Sequence, residues 1–532
     1  VQFSKFIRLL PLLWGLCTLT LSFFAVAGNG ILYRALPGKP VSLDPHKFQS
    51  NIEALLHKDL YEGLTVQDEE GKPVPGMAES WSVSDDGLTW TFKMRSGLKW
   101  SDGEPLTAND FEYSFRRLAD PVTQSHYSFY LTQATVKNSQ DVIDGKLALS
   151  ELGVESQNDD TLVIALERPC SFLPSLLTFP AFLPVPWHIV ERHDEQWAET
   201  PGVAVSNGPY TLTGQGADQW MMMKNNNYHL PLPEAPMQLV WKHYDSVQQQ
   251  LKDFYSGELH VTTALPEALK NILPPEHSVV QRSKALTTTY VLINGQKPEL
   301  SDDVRQALAL IIQKEALPPF GEPEEVAKGL IPPWTDGAES FAELTEESQY
   351  ERDKKAQEAW GRAGYSTTKP LRLSLLEVKR QEQSNWKKAV VQQWKRLPGL
   401  EVAAEGLEWQ DYNERVQKGE YQLALGGWIG AYNKPPAFLL LGSKRLSPFS
   451  SSVSVGSATI QDGYDAALTA SVATGDSSEY ERLHHSLLKR NTIVPLAHPK
   501  QTHWVQSTVK NYTAKNPEGW MHSRHLSLMP KS

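Results

Sequence analysis

The sequence predicts an α/β protein of two to four domains, and three observations carry that prediction. Strand-like alternation and helix-like spacing of apolar residues succeed one another along the chain, the pattern of sheets covered by helices. The 532 residues are 40% hydrophobic and include 16 Trp, which is enough apolar material for several buried cores. Residues 78–117, AESWSVSDDGLTWTFKMRSGLKWSDGEPLTANDFEYSFRR, place a strand, two turns and a capped helix in one run.

The elements follow in order. Residues 31–43 contain a strand, and Ile52, Leu55, Leu56 and Leu60 mark a helix over 51–60. Leu88, Trp90, Phe92 and Met94 alternate with Thr89, Thr91, Lys93 and Arg95, which predicts a half-buried strand. Ser96-Gly97 and Ser101-Asp102-Gly103 are turns. Thr107, three residues before Asp110, reads as a capping pair ahead of Phe111, Phe115 and Leu118 at helical spacing. Residues 161–166 alternate as a strand, and 304–312, 387–397 and 479–489 read as helices. Pro-rich stretches at 184–186, 231–236, 318–319 and 332–333 are loops or linkers, and no internal repeat is found.

The net charge of −11 argues against a nucleic-acid surface, which needs clustered Lys and Arg. Lys5 and Arg8, an uncharged apolar run over 9–27 and Ala25-Val26-Ala27 form an export signal, so residues 1–27 are expected to be removed and the protein to be periplasmic. Cys17 follows Leu16, too large a neighbour for a lipoprotein site, so no lipid anchor is expected. Cys170, in Pro169-Cys170-Ser171-Phe172, reads as a buried, inert thiol. No second apolar run of about 18 residues follows the signal, so the mature chain is expected to be soluble.

Motifs of catalysis are largely missing: there is no HExxH, Walker-type loop, GxSxG elbow or CxxC. His484-His485 point about 100° apart on a helix and do not chelate together well. His522 and His525 are two ligands at most, too few for a metal site, and Met221 to Met223 read as core packing. No catalytic residue, metal ligand or cofactor is therefore expected. The sharper constellation is Glu408-Trp409, Tyr421 and Gly427-Trp428-Ile429-Gly430-Ala431-Tyr432-Asn433-Lys434-Pro435. Glycines admit a close backbone approach and tryptophans offer flat walls, so this loop suits a ligand. An ordinary strand end with two core tryptophans fits the pattern equally well.

Residues 78–117 closely resemble the signature of the bacterial family 5 solute-binding proteins, components of ABC importers for oligopeptides, dipeptides and nickel. The resemblance extends through Ser42-Leu43-Asp44-Pro45-His46, Asp59-Leu60-Tyr61-Glu62-Gly63-Leu64, Ser206-Asn207-Gly208-Pro209-Tyr210, and Ile293-Asn294 with Asp303 to Leu308, where Gln306 replaces a usual Arg. Trp428 and Pro435 match a later Gly-Trp loop. It implies a two-lobed periplasmic binding protein, type II-like in its large three-domain form, with a hinge between the lobes. One lobe would hold 28–61, an auxiliary domain over 62–185, 186–287 and a C-terminal return over 503–532; the other would hold 288–502. Crossings near 285–291 and 498–505 would be the hinge.

The resemblance also implies the ligand residues: Gln49, Ser50, Asn51 and Tyr127 from the first lobe, and Trp409, Gly427, Trp428, Gly430, Ala431, Tyr432 and Asn433 from the second. Three positions depart from the peptide-binding pattern. Ala431 stands where such members have an Asp that meets the peptide amine, Leu425 where many have an Arg, and Ala497-His498-Pro499 replaces a tyrosine-rich run. Glu408, Asp411 and Glu53 are the acids that would have to substitute. The expected function is a non-enzymatic, monomeric binding protein that delivers a small peptide or peptide-like ligand to inner-membrane ABC permease subunits, with no nucleic acid involved. A metal chelate, haem or a sugar derivative as ligand, an exported hydrolase, and a non-transporting sensor or scaffold are the alternatives.

Overall fold

The structure is a computed structural model, and it describes residues 30–193, 196–265, 276–317, 322–338, 341, 347–379, 384–443, 458–519 and 521–529. The export segment, Cys17 and the 318–319 loop lie outside the described residues.

Three larger sheets organise the chain. The first has the order Ile31–Leu36, Gln238–His243, Gln219–Lys224, Tyr210–Gln215, its first pair parallel and the others antiparallel. The strand expected within 31–43 is Ile31–Leu36, and Pro37 and Pro40, which lack ladder donors, follow its end. Period-two alternation buries Met222 and leaves Met221 and Met223 exposed, so only one of the three methionines joins the core. The second sheet is antiparallel, Ala78–Val83, Thr89–Met94, Thr161–Ala165, Val154–Asn158. Trp90, Phe92 and Met94 are buried beneath the helix Ala108–Ala119, which contributes Phe111, Phe115 and Leu118. Its start is the predicted capping box of Thr107 and Asp110.

The third sheet runs Ser278–Lys284, Ile493–Gln506, Thr287–Ile293, Leu423–Ile429, Leu371–Val378, Leu400–Leu407, and Glu322–Val326 also pairs with Ile493–Gln506. Helices Asp302–Leu310, Gln349–Ala363 and Ser384–Trp394 cover it through a core that includes Val304, Leu308, Trp360, Trp386 and Trp394. The helices expected at 304–312 and 479–489 begin two residues earlier, at Asp302 and Ser477. The side chains of Ser301 and Asp476 accept from the first-turn N–H groups and so set the starts.

The two crossings are bonded to each other. Ile493–Gln506 pairs antiparallel with Thr287–Ile293 over residues 493–497 and with Ser278–Lys284 over 500–506. Val261 then bridges Val505 to Arg34, which ties this ribbon to the first sheet.

The motifs that were most legible in the sequence converge on buried polar networks of the first lobe. Asp44 receives both terminal nitrogens of Arg117, at 3.0 and 2.5 Å, and the Trp197 indole N–H at 3.1 Å. The neutral His46 ring accepts from the same guanidinium at 2.9 Å. Asn207 brackets the Glu62 backbone, accepting from its N–H at 3.0 Å and donating to its carbonyl at 2.8 Å. Next to it, a Cβ on Gly208 would stand 2.5 Å from the Leu60 carbonyl carbon, so only glycine fits. The Glu62 carboxylate is met by Arg524, Tyr228 and His229, and Arg34 and Asp59 hold Ser523. These contacts seat the C-terminal segment on the first sheet.

Burial alone would raise the pKa of Asp44, but the Arg117 guanidinium and its hydrogen bonds overcome it and hold the carboxyl at about 2. Burial pushes His46 down to about 3 and His57 to about 4. All three folded values lie below the unfolded ones. Their stabilisation is therefore complete above about pH 6.5 and is lost on acidification, first through the histidines and then through Asp44 below about pH 4. Urea unfolding should show stability declining from about pH 6.5 downward. Asp44→Ala should lower stability at neutral pH by about 3–5 kcal/mol, because it strands a buried guanidinium. A flat profile between pH 7 and 4, or a loss under about 1 kcal/mol, would contradict these roles.

Candidate interlobe ligand site

The second-lobe half of the site is the end of Leu423–Ile429 and the loop after it. Trp428 sits opposite Thr288 in the ladder, donates through Nε1 to Ala437 O at 2.6 Å, and is 9% exposed. Thr288 in turn donates to Leu330 O at 2.6 Å and lies 3.0 Å from His498 Nδ1, so the strand end is fixed from both sides. Burial pushes His498 down to about 4, which leaves it neutral. The Gly430 N–H donates to Leu286 O at 2.8 Å, and a Cβ there would stand 2.9 Å from the Phe438 ring, so the turn needs a glycine. Asn433 accepts from the Asp336 N–H at 3.0 Å, and Lys434 pairs with Asp336. Gly427 lies in the strand opposite Thr289, and Ala431 is 9% exposed. Trp409 opens the helix Trp409–Gln417 and is well exposed. It stacks on Tyr412, whose hydroxyl donates to Leu425 O at 3.1 Å.

The first-lobe half is aromatic. Tyr127 stacks on Phe48 at 4.3 Å and meets the edge of Phe179 at 5.2 Å. Burial raises the Tyr127 phenol and keeps it protonated. Gln49 and Asn51 are half-buried, flanking Ser50 at the start of the helix Asn51–Leu60. Ser50 spends its hydroxyl on the capping box with Glu53.

The two halves share one continuous apolar cluster, in which Phe48, Tyr130, Phe172 and Phe179 join Trp428, Ala431 and Tyr432. The predicted residues thus form two groups, Tyr127 on Phe48 with the 49–51 turn, and the 427–433 loop with Trp409 near it. Sequence reasoning missed Phe48, Phe172 and Phe179, since single aromatics between loops carry no periodic signal.

The three substitute acids divide clearly. Glu53 is fully buried and already bonded, accepting from the Val41 N–H at 2.8 Å and from both the N–H and hydroxyl of Ser50. Glu408 and Asp411 are exposed, and Glu408 pairs with Lys379 at 3.5 Å. Cys170 is buried, and burial pushes its thiol up to about 12. His522 and His525 sit edge to face, 5.9 Å apart, and His484 accepts from the Leu330 N–H. Among the described residues no group of three His, Cys, Asp or Glu is placed to hold a metal, and no helix is long and apolar enough to cross a membrane.

Comparisons with known proteins identify the family and the fold. Residues 72–445 match the family model of bacterial extracellular solute-binding proteins, family 5 Middle. The periplasmic oligopeptide-binding protein OppA of Escherichia coli K12 is 31% identical over 503 residues, covering 92% of this chain and 90% of its own. The Haemophilus influenzae OppA complex with the peptide RPPGFSPFR superposes with a TM-score of 0.84 at 28% identity, over 94% of this chain and 99% of that one. The Escherichia coli murein tripeptide-binding protein MppA gives 0.84 at 29% identity over 94% and 99%, whereas its unliganded open form gives 0.70 over 94% and 97%. The lobes therefore stand nearer to the arrangement of the peptide complex than to the open one. Gly430→Ala should displace the Trp428 loop while leaving the first lobe intact, seen as chemical-shift changes confined to the second lobe and its interface. Unchanged loop resonances would mean that the Phe438 contact is not restrictive. The two-lobed architecture, the motifs and their order along the chain make this protein a member of the bacterial extracellular solute-binding proteins of family 5.

Proposed function

We propose that the chain is the periplasmic substrate-binding component of an ABC importer. It holds a peptide or peptide-like ligand between its lobes and presents the closed form to an inner-membrane permease. The observation that carries this reading is the pairing of an aromatic first-lobe wall, Phe48, Tyr127 and Phe179, with the glycine-bounded loop of Trp428. Glycine-flanked backbone suits the main chain of an extended peptide, and aromatic faces suit its side chains. The chain acts as a monomer and without catalysis. Gln49, Ser50, Asn51, Tyr127, Trp409, Gly427, Trp428, Gly430, Ala431 and Asn433 frame the site, whereas Tyr432, expected among them, is wholly buried against Phe172. Contacts with both lobes favour closure only as far as they differ between the closed and open states.

The charge pattern narrows the ligand. With Ala431 in the loop and Glu53 engaged in its cap, a free α-ammonium meets no available carboxylate at either position. A buried, unpaired charge costs several kcal/mol, against about −8 kcal/mol for a whole micromolar ligand. The preferred ligand is therefore a peptide whose amine is blocked or lies outside the loop. Calorimetry with matched N-acetylated and free-amine tripeptide pools should favour the acetylated pool. Ala431→Asp should raise free-amine affinity at least about tenfold. Equal affinities in both proteins would show that the amine does not reach this loop. Trp428 is a core residue as well as a wall, so Trp428→Phe is the informative substitution, and it should weaken binding of the better pool without lowering the unfolding midpoint appreciably. Unchanged affinity would remove Trp428 from the site.

A further inference from the structure

Tyr432 is fully buried, yet its surroundings come from the other lobe. Its ring stacks on Phe172 at 5.0 Å and 14°, and its hydroxyl accepts from the side-chain amide of Gln133. Gln133 ends the short helix Phe129–Gln133 and is 2% exposed, and Phe172 is 5% exposed. Gln133 and Phe172 precede the first crossing, and Tyr432 lies between the two crossings. The same first-lobe segment meets the second lobe again nearby, where a Cβ on Gly475 would lie 3.5 Å from Ser171 Oγ.

Among the described residues the amide of Gln133 makes no side-chain hydrogen bond within its own lobe: Nε2 is given to Tyr432, and Oε1 is buried without a described partner. A buried amide that served only the first lobe would be paired there, because an unpaired one is costly. Its one bond exists only while the lobes are together. The stacked pair depends on closure in the same way, and two rings of this size cover a large apolar area.

We propose that Gln133 and Tyr432 form a latch across the lobes. They are positioning residues that set ligand affinity through the closed-to-open ratio rather than by contact with the ligand. Affinity scales with the fraction of binding-competent closed protein, so a contact made only on closure raises affinity for every ligand of the site. The latch rests on the two-lobed fold and not on the peptide reading.

The test measures closure directly. Val122 in the first lobe and Tyr350 in the second are 84% and 79% exposed, so Val122→Cys and Tyr350→Cys accept spin labels. Cys170 is buried and Cys17 lies in the segment expected to be cleaved. Inter-label distances are recorded on protein freed of small molecules by dialysis in mild denaturant, then returned to buffer without peptide. Tyr432→Phe, which keeps the ring, and Gln133→Ala should each lower the closed-to-open ratio by roughly five- to tenfold. The double variant should fall no further than the stronger single one, because the two share one bond. Urea midpoints close to the parent's separate this from misfolding, and Tyr432→Phe alone decides the matter if Gln133→Ala fails to fold. Unchanged distances in Tyr432→Phe, additive effects in the double variant, or a parent protein already wholly open would each overturn the latch. No peptide enters the measurement, so the latch stands or falls whether or not the ligand is a peptide.

Discussion

One strand belongs to both lobes, and the remaining architecture is arranged around it. Ile493–Gln506 gives its first residues to the sheet of the second lobe and its last to the ribbon that Val261 joins to the first. Its partner across the crossing, Ser278–Lys284 continuing into Thr287–Ile293, makes the same passage in the opposite direction. Backbone bonds between the crossings resist sliding of the lobes but permit bending. Relative motion is thereby channelled into opening and closing, the hinge class of domain movement.

The first lobe is discontinuous in sequence, and buried charge holds its pieces together. Asp44 lies near the start of the described chain, Arg117 in the helix of the second sheet and Trp197 beyond it, yet one carboxylate joins all three. Glu62 and Asp59 do the same for Arg524 and Ser523 at the far end. Such pairs are poor sources of net stability compared with well-packed apolar groups, but breaking one is severe. Their effect is to specify which distant segments meet.

The interlobe surface follows a different logic. It holds one aromatic and aliphatic cluster, and polar atoms beside it fix the loop itself, as Trp428 does with Ala437 and Thr288 with Leu330. Apolar surfaces are non-directional and adapt to varied partners, whereas buried charges demand a matched one.

The sequence by itself determined a good deal. Alternation located the strand at Thr89–Met94, and the Thr107-Asp110 pair located the cap of the next helix, because both signals are local. The motifs around Asp44, Glu62 and Asn207 announced the family, and the structure gives their reason: each is half of a buried network or a close backbone approach that only one residue type satisfies. Local patterns misjudged the extent of helices where a capping side chain set the start, as at Ser301 and Asp476. What only the tertiary structure decided is the traffic between the lobes. That Gln133 meets Tyr432 across 299 residues depends on how the two lobes are brought together. No periodicity encodes such a contact, because its partners are set by the closure of the hinge and not by neighbours along the chain.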